Sequence, residues 1–321
     1  METLPLQLSN AIDRTLAHLH PDTLRNACFD LTERYSRGEF IESEAHRHAY
    51  MASRLPATYG ATRQVFRRIE PLLNPITSLL DLGTGMGALA WAAAEAMPHL
   101  QRITLFEADV EMLRMGQYLT QNNLDPLEMS WCRDDITQAV SFPAHDVVVL
   151  SYVLNELSLK EQAHVLLRSY EAVDNLLILI EPGTPKGYGN ILRARTFLIG
   201  HGAHIIAPCP HNAPCPLAPA YKEGKDWCHF RVRIPRGKYH RRAKDAALPY
   251  EDEKYSYLVA SPNPYPIGGD RIIKAPMTKT GHVILDLCTK GGQEERRIVP
   301  KSEKESYARA RDCDWGDEWQ E

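Results

Sequence analysis

Two groups of residues in this 321-residue chain have the types and spacing to do chemistry. The first is Asp81-Leu-Gly83-Thr84-Gly85-Met-Gly87, which follows a short apolar run and opens an alanine-rich helical stretch, Ala88 to Met97. Alternating glycines tolerate positive φ and admit a ligand close to the backbone. The turn can therefore aim N–H groups and a helix N-terminus at a nucleotide-like group. Glu107 closes the next apolar run, twenty residues beyond Gly87, where nucleotide-binding folds hold ribose hydroxyls. A tight strand-to-helix turn needs the same glycines; the placing of Glu107 is what points to a ligand.

The second group is sulfur. Cys209-Pro-His211 and Cys215-Pro share one turn-rich segment with Asp226-Trp-Cys228-His229, and Cys288 ends an apolar run further on. Four soft thiolates hold zinc or an iron–sulfur cluster. Five, twelve and fifty-nine residues separate them, which matches no Cys-x2–4-Cys zinc pattern. With zinc, His211 or His229 could replace a sulfur; free thiols in an ordered loop are the third reading. Cys28 and Cys132 fall in apolar helix and strand patterns as core residues, and Cys313 lies in the acidic tail.

Directly after the cysteine segment, residues 231–244 hold seven basic residues and no acid: Arg231, Arg233, Arg236, Lys238, Arg241, Arg242 and Lys244. Such a density neutralises several phosphates, with Tyr239 and His240 placed to stack on bases. A solvated face is the alternative. With a net charge of −4 the chain as a whole has no pull toward nucleic acid, so any affinity is local.

An apolar content of 44% supports a sizeable core. No apolar run reaches eighteen residues, and the N-terminus carries no basic-then-apolar signal. Seven cysteines without such a signal indicate a reducing compartment, hence metal binding or free thiols before disulfides.

These sites need elements to hold them. Residues 1–75 read as helices, with Leu8, Ile12, Leu16 and Leu19 at helical spacing and Arg54-Leu-Pro-Ala-Thr-Tyr59 as an interruption. Residues 76–202 alternate apolar runs with helical segments, which predicts a parallel sheet covered on both faces. Ligands in such sheets lie beyond the carboxyl ends of the strands, so Asp81, Glu107, Asp134, Asp135 and Ser151 form the rim. Residues 203–248 form the cysteine-rich and basic insertion. Residues 249–321 supply strands over 255–261, 271–274, 282–288 and 296–299, expected to complete the sheet at its edge, and a frayed or partner-bound acidic tail.

The Asp-x-Gly-x-Gly-x-Gly order at 81–87 resembles motif I of class I S-adenosylmethionine methyltransferases, which implies cofactor contacts at Asp81, Gly83, Thr84, Gly85, Gly87 and Glu107, with Asp134 and Asp135 near the adenine. After the fourth strand, Ser151-Tyr-Val-Leu-Asn155-Glu156 stands where base N-methyltransferases carry a Pro-Pro motif, and it has no proline. Asn155 and Glu156 are the candidates to orient or deprotonate an acceptor, or else they cap the next helix. Methyl transfer from a sulfonium depends mostly on positioning, so a weak base does not exclude it.

Taken together, residues 54–59, 80–87, 151–157, Glu181-Pro-Gly-Thr-Pro185, the cysteine segments, Glu253 to Leu258 and Leu285-Asp-Leu-Cys288 resemble the mitochondrial small-ribosomal-subunit assembly family of methyltransferase-like proteins and its bacterial relatives. The resemblance spans most of the chain. It implies an α/β, class I methyltransferase-like (Rossmann-like) fold with an N-terminal helical region and a cysteine-rich metal-binding insertion. It further implies bound S-adenosylmethionine, a 4Fe-4S cluster on Cys209, Cys215, Cys228 and Cys288, and association with small-subunit ribosomal RNA. Zinc remains the chemical alternative to iron and sulfide. A small-molecule methyltransferase with a structural zinc site is the alternative function.

Overall fold

The computed structural model describes every residue except 122, 125, 267 and 321, and residue 36 by its backbone alone. Among the described residues five N-terminal α-helices come first: Leu6–Leu16, Pro21–Arg37, Glu44–Ala49, Leu55–Arg68 and Glu70–Leu73. Leu24, Ala27, Cys28 and Leu31 recur at helical spacing and are buried, and the second helix stops at Gly38 with φ 77°. The interruption read at residues 54–59 adjoins a π-helical turn, Tyr50–Arg54, in which the Leu55 N–H reaches back to the Tyr50 carbonyl. Pro56 has no N–H to donate, and a widened turn upstream of it absorbs the lost bond.

Strands β1 (Ser78–Leu82), β2 (Arg102–Glu107), β3 (Glu128–Arg133), β4 (His145–Ser151) and β5 (Val173–Pro182) pair in parallel in the order β3-β2-β1-β4-β5. Alternate residues feed two cores. Leu79, Val147, Val149 and Ile178 face the N-terminal helices and Ala88–Ala96; Leu80, Leu82, Val148 and Leu179 face helices Leu159–Glu171 and Pro185–Gly200.

Three more strands complete this sheet: β6 (His204–Ala207), β7 (Phe230–Pro235) and β8 (Tyr250–Ser261). The last runs antiparallel to β5 and lies between it and β6, giving a mixed α/β sheet. One side of β8 takes β6 opposite residues 259–261 and β7 opposite residues 250–255. The cysteine segment is the excursion the chain makes between those two edge strands. It thus lies within the β6–β8 connection, since His204–Ala207 already belongs to the sheet.

The remaining C-terminal strands correct the expectation that they complete the main sheet. Strands β9 (Asp270–Ile272), β10 (Met277–Lys279), β11 (His282–Cys288), β12 (Glu294–Pro300) and β13 (Glu318–Trp319) form a second, five-stranded sheet. Val283, Leu285, Leu287 and Val299 bury against Ile272, Ala310 and Trp319 rather than against the main core. Their alternation specifies a half-buried strand and cannot specify which sheet receives it. The acidic tail is also docked. Asp317 pairs with Arg68, Glu318 lies 3.0 Å from Arg271, and Trp319 is buried.

Candidate functional site: a glycine turn and a cysteine cavity

The buried strand β1 delivers Asp81, itself 1% exposed, to the carboxyl edge of the sheet. Gly83 follows at φ 76°, where an added Cβ would lie 2.6 Å from Val153 Cγ2 in the loop after β4. Gly83 and Thr84 both donate their N–H groups to the Phe106 carbonyl at 2.9 Å. Gly85, at φ 57°, donates to Glu107 Oε2 at 2.8 Å, and the Asp109 N–H donates to Oε1 at 2.9 Å. Gly87 caps the helix Ala88–Ala96. Two strand ends and a helix start are thus locked together around one carboxylate, which also takes the Ala108 N–H.

Above this turn stands the N-terminal region. A Cβ on Gly85 would be 3.0 Å from the Tyr50 hydroxyl, and Arg47 Nη2 bonds Asp109 Oδ2 at 2.7 Å. The sequence reading did not nominate Tyr50; the adjoining motif at 54–59 was the available signal. It missed Glu181 and Tyr152 as well. Tyr152 takes φ 64°, a conformation rare for a bulky residue, and its hydroxyl donates to Glu253 Oε1 at 3.1 Å.

Several carboxyls lie within reach of one another here. Burial pushes Asp81 up to about 7, with the Thr84 hydroxyl offsetting and Glu107 adding. Glu156 is an exposed residue, yet crowding around its carboxyl and then Glu107 push it upward against the pull of Lys186. Glu181 is pushed up to about 8 by burial, although Asn190 donates to it at 2.8 Å. Asp81 Oδ2 and Ser151 Oγ are buried without a hydrogen-bond partner among the described residues. Unpartnered acceptors of this kind suit a ligand that brings hydroxyl or ammonium donors.

Asp134 and Asp135 lie at the end of β3 and are exposed. The Asp134 N–H reaches the Glu107 carbonyl at 3.3 Å, and Asp135 Oδ1 accepts from Thr137 N and Oγ1 at 2.9 and 2.7 Å. Asp135 is therefore engaged in its own turn. Asn155 and Glu156 belong to a short 3-10 turn, with Lys186 Nζ 3.1 Å from the Asn155 carbonyl.

The four nominated cysteines meet. Cys209 follows β6, Cys228 precedes β7, Cys288 ends β11, and with Cys215 they line one cavity of about 30 Å³. Its remaining walls are mainly apolar, with Ile191, Leu217, Phe230 and Ile273 among them. Tyr188 Oη lies 3.2 Å from Cys215 Sγ, and His211 Nε2 lies 3.3 Å from Cys288 Sγ. Arg195, 4% exposed, donates to the carbonyls of His211 and Ala213, and Arg271 donates to that of Pro208. Burial raises the Cys228 thiol well above its usual range, and the other three sulfurs raise it further. Burial raises Cys209 too, against the guanidinium of Arg195. Among the described residues, no group of three or more His, Cys, Asp or Glu side chains is closed into a metal-holding geometry. His229 packs between Trp227 and Trp315 and does not line the cavity.

The basic stretch divides in two. Arg233 is held by Asp252 at 2.7 and 2.8 Å, while Arg236 and Lys244 meet Glu251. Arg231, Lys238, Arg241 and Arg242 are exposed and make no ion pair among the described residues. The expectation that Tyr239 and His240 stack on bases is corrected: both are buried, and His240 Nε2 bonds Glu251 Oε2 at 2.9 Å.

Comparison with known proteins adds the family. The family described as mitochondrial small ribosomal subunit Rsm22 matches residues 44–320, the greater part of the chain. The chain belongs to the Rsm22 family. Among curated relatives of this Rsm22-family chain are the fission yeast Rsm22-cox11 tandem proteins 1 and 2, mitochondrial, 27% identical over 84% of this chain and 42% of theirs. The human mitochondrial ribosome assembly protein METTL17 is 25% identical over 95% of this chain and 72% of its own. The Rsm22-family chain therefore spans less than half the length of its fission yeast relatives. Among solved structures, magnesium protoporphyrin IX methyltransferase from Synechocystis is 15% identical, with a TM-score of 0.42 over 76% of this chain and 98% of that one.

Proposed function

We propose that this chain is a small-subunit ribosome-assembly protein that binds S-adenosylmethionine at the glycine turn, holds a 4Fe-4S cluster on Cys209, Cys215, Cys228 and Cys288, and meets ribosomal RNA through its unpaired basic residues. One observation carries the donor site: Gly85 and Glu107 are joined beside Asp81 Oδ2 and Ser151 Oγ, which are buried without a hydrogen-bond partner among the described residues. Ribose hydroxyls donating to Glu107 and an ammonium beside Asp81 would satisfy those acceptors. When bound, S-adenosylmethionine supplies an electrophilic methyl group. The chain's own part is to position it, with Asn155 and Glu156 on the acceptor side.

For the cluster, the support is the donor set. Four soft thiols from three separate parts of the chain line one mainly apolar cavity, with Arg195 and Arg271 beside it to balance negative charge. Bound there, it would tie the β6–β7 excursion to β11, because metal-binding free energy becomes folding free energy. For RNA, the support is the four exposed, unpaired cations together with a ribosome-assembly relative. A cytoplasmic location is proposed beside relatives named as mitochondrial, and cell fractionation decides it.

The test is anaerobic purification together with ribosomal particles. Iron and sulfide near four of each per chain, S-adenosylmethionine binding by calorimetry and co-sedimentation with the small subunit are expected. Stoichiometric zinc without iron or sulfide would refute the cluster. Failure to sediment with the subunit at low salt would refute the ribosomal role. Methylation of the bound RNA, measured in the same preparation, decides whether the donor is turned over.

A further inference from the structure

Resting on the cluster reading above, we infer that Tyr188 is a positioning residue for it: the phenol hydroxyl donates a hydrogen bond to Cys215 Sγ and raises the reduction potential of whatever iron–sulfur centre that sulfur holds. The contact is 3.2 Å long, and Tyr188 is 3% exposed. Among the described residues, Cys215 is the hydroxyl's sole hydrogen-bond partner. A buried phenol needs such a partner, and a metal-bound thiolate has no proton, so the hydroxyl must be the donor.

The donor comes from the methyltransferase-like core and not from the cysteine segment. Tyr188 lies in the first turn of helix Pro185–Gly200, which Thr184 caps by accepting from the Gly187 N–H at 3.2 Å. Lys186, two residues earlier, reaches the Asn155 carbonyl. The edge of Tyr221 packs on the Tyr188 ring at 5.0 Å and 80°, and Trp227 Nε1 donates to the Gly183 carbonyl at 3.0 Å. The cysteine segment thus clasps the turn that presents the phenol, so hydroxyl and sulfur are held together from both sides. Hydrogen bonds to coordinating sulfurs favour the more negative, reduced state and move the potential upward.

The experiment compares full-length wild type, Tyr188→Phe and Tyr221→Phe, each purified and reconstituted without oxygen. Phenylalanine keeps the ring packing and removes one oxygen. Tyr221 is the control, since its hydroxyl lies beside Gly189 and makes no hydrogen bond to a sulfur among the described residues. Iron and sulfide content is measured first, far-UV circular dichroism checks the fold, and a mediated titration then gives the potential. Tyr188→Phe should keep its iron and become harder to reduce by about tenfold in the reduction equilibrium, about 59 mV for one electron. Tyr221→Phe should match wild type. Iron loss confined to a folded Tyr188→Phe chain also supports the contact. An unchanged potential in loaded Tyr188→Phe, or an equal shift in Tyr221→Phe, overturns the assignment. Wild type devoid of iron and sulfide overturns the cluster reading itself, a result distinct from either.

Discussion

The backbone N–H of Gly85 donates to Glu107 Oε2 at 2.8 Å, joining the turn after β1 to the acid that ends β2. Glu107 is thereby fixed before any ligand arrives. Burial raises its pKa, while the N–H groups of Asp109 and Gly85 pull the other way and favour the charged form. An anchored carboxylate loses little freedom on accepting ribose hydroxyls, which is the advantage of preorganisation.

Gly85→Val tests that turn. A β-branched residue at φ 57° is strained by about 1–3 kcal/mol, and its Cβ would meet the Tyr50 hydroxyl at 3.0 Å. S-adenosylmethionine binding by calorimetry should fall below detection, and the melting temperature should drop. Undiminished affinity would remove the glycine turn from the donor site.

The buried carboxyls predict a pH dependence of stability. Asp81 at about 7 and Glu181 at about 8 lie above their ordinary values near 4, so between those limits the folded protein holds more protons than the unfolded chain. Stability from these two groups is therefore full below about pH 4 and is lost as pH rises toward 7 and 8. Denaturant melts of Asp81→Asn across pH 5–8 should show a flatter fall than wild type. Parallel curves would mean that Asp81 ionises without cost where it lies.

Glu251 has the opposite sign. Burial works against its charge, but His240 and then Lys244 hold the carboxyl well below its usual range, so its contribution is lost as pH falls below about 4. Glu251→Ala leaves Arg236, Lys244 and buried His240 without their shared acid and should cost about 3 kcal/mol. Urea melts at neutral pH check this, and a cost within 0.5 kcal/mol, as for about any surface change, would show the network to be decorative.

Arg241 and Arg242 belong to the exposed half of the basic stretch, and replacing both with alanine should leave the melting curve unchanged. Affinity for ribosomal RNA should fall, and the slope of log affinity against log salt should become shallower by roughly 1–2. An unchanged slope would make this face a solvated surface.

What the chain determined by itself is local. Apolar runs of strand length between helical periods made the parallel sheet readable. The glycines after Asp81 marked the turn, and the seven cations without an acid marked the basic stretch. Each of these depends on neighbours in sequence: periodicity, backbone freedom, charge density. The tertiary structure alone decided which partners those residues meet. It placed Tyr50 over Gly85, engaged Arg233, Arg236 and Lys244 with Asp252 and Glu251, and carried Cys288 across fifty-nine intervening residues to the cavity of Cys209, Cys215 and Cys228. It also sent β11 and β12 to a sheet of their own. Strand alternation states which face is buried, and a charge run states what is abundant. Neither states what lies opposite, because pairing is settled by contacts between residues distant in sequence.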